Sequence, residues 1–165
     1  MPKHGFYEGI WTFKHFNKNG KLLYEQTQRN AFADEGEYML LNSFFRGLSS
    51  PSGFYLRLAY DVLKVTDTLV DVYAEPGVGY GYSAKTIERS AVGFPTIAMD
   101  SGHYMATTKH VTWVASGGVI GPLNVMYLAT TSDNTGKLVC YVPLLVEQTV
   151  EDGDSAEAWV TIKFI

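Results

Sequence analysis

One stretch of this chain, Ala33–Gly47, reads as a helix, and a solitary apolar helix restricts what the remaining residues can build. Asp34 is placed to accept backbone N–H bonds as the N-cap, and Glu37 three residues on completes a capping-box start. Arg46 suits the negative C-terminal end, and Gly47 can take the left-handed conformation that terminates a helix. Tyr38, Leu41 and Phe45 fall on one face, with Leu40 and Phe44 beside them. A short helix with that much apolar surface is not stable alone in water, so it has to lie on something. The rest of the chain supplies strands.

Tyr7–Phe16 alternates as a strand, Asn17-Lys18-Asn19-Gly20 turns it, and Lys21–Gln28 returns. In Gly53–Tyr60, Phe54, Leu56, Leu58 and Tyr60 face one way, and Tyr55, Arg57 and Ala59 the other. Residues 61–81 are irregular apart from a short helical turn expected near Thr68–Tyr73. Ser83–Ser90 reads as a strand, and Phe94-Pro95 as an edge or bulge, because proline cannot donate to a ladder. From residue 103 a meander is expected, with strands at His103–Thr107, Lys109–Ala115, Asn124–Thr130, Lys137–Val146 and Ala156–Ile165. Turn residues at 116–118, 132–136 and 151–154 separate most of them. The fold expected is mainly β: an antiparallel, jelly-roll-like β-sandwich with one short α-helix in the N-terminal third. It forms a single domain over 1–165, with 1–16 a candidate assembly arm or edge strand. The predicted core holds Phe54, Leu56, Leu58, Val125, Tyr127, Val160 and Ile162, with Leu41 and Phe45 covering one end.

Charge and composition narrow the function. The net charge is −4 and no run of Lys or Arg occurs, which disfavours a groove that tracks phosphates. Cys140 is the single cysteine, so neither an intrachain disulfide nor a cysteine zinc site can form. The longest apolar run, Leu138–Val146, is broken by Pro143 and is too short to span a bilayer as a helix. Met1-Pro2-Lys3-His4-Gly5 lacks the apolar core of a signal peptide, so synthesis in a cytoplasm and a soluble product are expected. Charged residues make up only 18% of the chain against three Trp, eleven Tyr and nine Phe, a balance suited to surface held against other protein.

The motifs that could carry chemistry are weak. Gly77-x-Gly79-x-Gly81 has Tyr82 where a dinucleotide fingerprint continues, and no helix follows. Asp100-Ser101-Gly102-His103 holds the residue types of a catalytic triad within four positions, where a turn is the better reading than a nucleophile and its base. His4, His15, His103 and His110 lack metal-ligand spacing. Glu151-Asp152-Gly153-Asp154 clusters carboxylates without the layout of an EF-hand and reads as a hairpin turn. Cys140 sits in an apolar strand as a small hydrophobe. No catalytic, cofactor-binding or metal-ligating residue is assigned, and the chain is expected not to be an enzyme.

Several pieces occur in a familiar order: Asn19-Gly20-Lys21 with Asn30, Asp34-Glu35-Gly36-Glu37, Phe54-Tyr55-Leu56-Arg57-Leu58, Ser90-Ala91-Val92-Gly93-Phe94-Pro95 and Gly153-Asp154-Ser155. Over residues 17–165 the chain resembles small virion structural proteins of tailed bacteriophages, the tail, capsid accessory or decoration proteins. The resemblance implies a repeated, non-enzymatic subunit of a virus particle, made in the host bacterial cytoplasm and located in the virion. Its partners would be further copies of itself (a homo-oligomer) and other virion proteins such as capsid or tail subunits, with no nucleic acid, membrane or cofactor. The alternative is a receptor- or glycan-binding adhesion module of a phage tail, with Tyr80, Tyr82 and Trp159 as stacking residues; a small hydrolase using Asp100 or His103 is a further one. Tyr7–Phe16 and Ala158–Ile165 are apolar on both faces, so edge strands covered by a neighbouring subunit are expected there. The candidate interface residues are therefore Tyr7, Trp11, Phe13, Tyr80, Tyr82 and Trp159.

Overall fold

Asn17 organises the first hairpin, its side-chain oxygen accepting the N–H groups of Asn19 (3.0 Å) and Lys21 (2.9 Å), while Gly20 takes φ +78°. That turn joins β1 (Tyr7–Phe16) to β2 (Leu22–Asn30). There follow α1 (Asp34–Phe45), β3 (Gly53–Ala59), β4 (Lys85–Glu88), β5 (Thr96–Asp100), β6 (His103–Thr107) and β7 (Val111–Val114). β8 (Ile120–Ala129), β9 (Leu138–Val150) and β10 (Ser155–Phe164) complete the order, with short 3-10 turns at Leu69–Asp71 and Val78–Tyr80. The computed structural model describes residues 7–30 and 32–164, and of Tyr7 the backbone alone.

All pairings are antiparallel. One sheet runs β2-β1-β10-β6-β5, with β7 also on β10; the other runs β4-β3-β8-β9. Their facing sides bury Trp11, Phe13, Leu56, Leu58, Trp113 and Val160. Each aliphatic side chain so removed from water contributes about 1.5–3 kcal/mol. On one long side the sandwich is closed by a side chain. The Gln26 amide donates to the Pro143 carbonyl (2.8 Å) and its oxygen accepts the Leu145 N–H (2.7 Å), so Gln26 of β2 stands in for a strand residue beside β9.

The sandwich and its single helix agree with the sequence reading; the distribution of side chains departs from it in three places. β1 lies between β2 and β10, and β10 between β1 and its partners β6 and β7, so neither is an edge. Residues 7–16 are thus not an assembly arm or edge strand; residues 1–6 lie outside the described part. Each of the two strands buries one face, Trp11 and Phe13 in β1 and Ala156, Ala158 and Val160 in β10, while the other face, with Glu8, Lys14, Glu157 and Trp159, stays partly exposed; hydrogen-bonded neighbours on both edges make them central.

Val125 and Tyr127 face away from the inter-sheet core, and Met126 and Leu128 take the inner positions. This part of β8 offers no alternation to read, since apolar residues occupy 125 to 129 consecutively and the strand is covered on both faces. The outer cover is the irregular stretch after β3, which lays Leu63, Leu69 and Val72 over Tyr127, Leu138 and Tyr141. Finally, Thr96–Asp100 is a strand, β5, where the sequence suggests only an edge or bulge at Phe94-Pro95. Pro95 stops short of the ladder, so its missing N–H interrupts nothing.

Candidate interaction face

The helix seats on the sheet by its N-terminal half. Ala33 donates its N–H to the Val139 carbonyl (3.0 Å), and a Cβ on Gly36 would stand 2.1 Å from that same oxygen, so only glycine permits the approach. One carboxylate oxygen of Glu35 accepts the N–H groups of Leu138 (2.7 Å) and Leu69 (3.1 Å), and the other pairs with the Lys137 ammonium at 2.9 Å. The N-cap is Ala33, without a side-chain cap, so the expected Asp34–Glu37 capping box does not form. Such a box forms instead at Thr68 and Asp71. At the other end Gly47 does take the left-handed conformation, with φ +65°.

This seating turns the apolar stripe of the helix outward. Gly36 and Asn42 are its buried residues, and Met39 and Leu40 are partly buried against the core. Leu41 (52% exposed), Phe44 (83%) and Phe45 (75%) are not the end cover predicted for Leu41 and Phe45. They form one wall of a groove of about 370 Å³, floored by Phe54, Leu128 and Ile162. A second groove of about 540 Å³ opens from Phe54 toward Phe94, Ile97 and Ala106. Its wall is the β5–β6 hairpin.

That hairpin overhangs. Asp100 pairs with His103 across a two-residue turn in which Ser101 (φ +53°) and Gly102 (φ +85°) are both left-handed, the geometry that matches strand twist. The triad-like Asp100–His103 run is therefore the turn itself. Asp100 pairs with the Lys163 ammonium (2.6 Å), accepts from the Ser101 hydroxyl (3.1 Å), and is held below the usual carboxylate range by these bonds. Register places Ile97 opposite Ala106 and Met99 opposite Tyr104, continuing the core-facing row that includes Ile162. The second sheet does not cover this row: Ile97 is 72% exposed, Met99 60% and Tyr104 59%. Among the described residues no strand pairs the outer edge of β5.

The residues singled out from the sequence sit elsewhere. Trp11 and Phe13 are fully buried between the sheets and Tyr82 nearly so, which removes all three from any interface. The Tyr82 hydroxyl bonds the Leu58 backbone and Glu75, and its ring stacks on Trp113. Burial first, and then the Glu75 charge, hold its phenol far above the ordinary value. Tyr80 is half exposed, packed against Gly118. Trp159 is half-buried; one ring face stacks on His110 at 3.8 Å and Lys14 lies 5.6 Å from the ring centroid, which crowds it as a sugar platform. The Tyr7 side chain lies outside the described part. Nothing gathers the other five side chains into one site.

The polar groups considered for chemistry are engaged in structure. His15 is buried between Gln148 (3.1 Å) and Asp154 (3.4 Å), and Asp154 also accepts the Lys18 N–H at 2.8 Å. Asp152 accepts the Gly117 N–H at 2.7 Å, so the acidic run at 151–154 is a turn that ties neighbouring loops. His110 pairs with Glu157 at 2.7 Å, and burial pushes the Cys140 thiol far up. Among the described residues no group of three or more His, Cys, Asp or Glu converges as a metal site, and no helix is long and apolar enough to cross a membrane.

The face shared by α1 and β5–β6 escapes a reading of the sequence because its parts are far apart along the chain. Its one legible signal, the apolar stripe of the helix, reads equally well as interior surface. No protein-family model and no curated protein matches the chain.

Proposed function

We propose that this chain is a non-enzymatic structural subunit of a tailed-phage virion, a capsid decoration or tail or neck accessory protein that works through protein–protein contacts. The observation that carries the reading is the open apolar face of α1 and the β5–β6 hairpin. A contiguous exposed apolar surface of this kind marks contact with other protein, since water penalises leaving it bare. The ordered resemblance to virion structural proteins supplies the setting, and the engagement of His15, His110, Asp100, Asp152 and Asp154 in structural bonds supports contact over catalysis. The alternative glycan-binding reading has less support, because Tyr82 is buried and Trp159 is crowded by His110 and Lys14.

The test is the composition of the particle. Mass spectrometry of purified virions from the parent phage should find the chain in many copies, and particles assembled without it should rebind the purified protein. Substituting Phe45→Glu should abolish rebinding while leaving the far-ultraviolet circular dichroism unchanged. Absence of the chain from purified particles would end this reading.

A further inference from the structure

We propose that the apolar face is a two-fold interface between two copies of this chain, in which the β5–β6 hairpin of each copy lies against α1 of the other. The inference rests on the reading of this face as a protein contact and names the partner.

The first argument is area. Leu41, Phe44, Phe45, Ile97, Met99 and Tyr104 are each more than half exposed. With about 150–250 Å² available from each fully covered aromatic ring, the six offer several hundred Å² of surface, the scale of the ~800 Å² that each partner gives to a standard interface. The second argument is shape. The face consists of two apolar ridges, the helix and the hairpin, with the grooves that meet at Phe54 running between them. A two-fold axis through the groove mouth sets each ridge of one copy against the opposite ridge of the other. Both ridges are then covered in both molecules, and the contact closes on itself. A small apolar ligand filling the grooves would leave Met99 and Tyr104, which line neither, in water.

The third argument is charge. Two ion pairs beside the face close within one copy, Asp100 with Lys163 (2.6 Å) and Glu88 with Lys109 (2.7 Å), while Arg89 at the wall of the second groove donates to the Pro51 carbonyl (2.9 Å) and keeps its charge. Closing the interface therefore sets neither pair's charge against the same charge in the other copy.

Sedimentation equilibrium tests the proposal. The purified chain should be a dimer at micromolar concentration. Phe44→Glu on one ridge and Ile97→Glu on the other should each weaken it ~30-fold or more, the loss expected at an interface hot spot, with the far-ultraviolet circular dichroism unchanged. A mixture of Phe44→Cys and Met99→Cys chains should form a mixed disulfide between copies under mild oxidation. Cys140 is fully buried and should stay out of this reaction. A monomer at every concentration, or a dimer indifferent to both glutamates, overturns the inference. If a monomer still binds virus particles and loses that binding with Phe44→Glu, the face belongs to another virion protein: the dimer is wrong and the functional reading stands. A dimer that responds to both glutamates but never occurs in particles means the opposite: the interface stands and the functional reading fails.

Discussion

Arg57 carries a full positive charge onto the outer face of β3 with 1% of its surface exposed. Its guanidinium spends its donors on Glu75, the Asp133 carbonyl (2.7 Å) and the Asn134 side chain (3.0 Å), with the Tyr127 ring 5.2 Å away. Burial works against that charge, and Glu75 together with Tyr127 and Tyr82 more than offsets it. One cation thereby fastens both the segment after β3 and the β8–β9 turn to the sheet. Glu75→Leu leaves this cation unpaired and should destabilise the fold by about 3–5 kcal/mol in urea unfolding. The double change Arg57→Met with Glu75→Leu should restore much of the loss, because an apolar pair of similar volume needs no desolvation. A loss under about 1 kcal/mol for the single change would show that the pair does not hold the cover in place.

At the scale of elements, the orientation of α1 decides what the molecule presents. The helix meets β9 through backbone contact at Gly36, so a methyl group there has to push α1 off the sheet. Gly36→Ala should cost about 1–3 kcal/mol and should raise amide exchange throughout α1 before the strands respond. Gly47 is the useful contrast. Nothing lies within 4 Å of a Cβ there, and only the left-handed backbone is strained, so Gly47→Ala should cost about 1 kcal/mol or less. Equal effects on stability and exchange from the two substitutions would mean that the close approach to Val139 does not seat the helix.

At the scale of the whole molecule, acid is expected to loosen a surface held by carboxylates. Hydrogen bonds from Thr68, Lys109, Lys163 and Thr135 hold Asp71, Glu88, Asp100 and Asp133 respectively below their ordinary values of 3.8 for aspartate and 4.5 for glutamate. A carboxyl group depressed in the folded state binds its proton more readily when unfolded. Its stabilisation is complete above the ordinary value and disappears as pH falls through the lowered one. The thermal midpoint should therefore be flat from above the ordinary carboxylate range up to the ordinary thiol value of 9.0, beyond which the buried Cys140 and Tyr82 favour the unfolded chain. It should fall on acidification below the carboxylate range; a midpoint that rises on acidification would contradict the assigned bonds. What the sequence by itself determined is local: the Asn17–Gly20 turn, the alternation of β3, the left-handed stop at Gly47 and the presence of a single helix. Each follows from steric freedom, side-chain periodicity or a hydrogen bond within a few residues. What only the tertiary structure decided is which apolar surface goes inside. Whether β1 is central or an edge, whether Val125 or Met126 faces the core, and whether Leu41 points in or out all turn on partners more than ten residues away. Apolar character records that a side chain gains by leaving water, and it is silent about which neighbour does the covering.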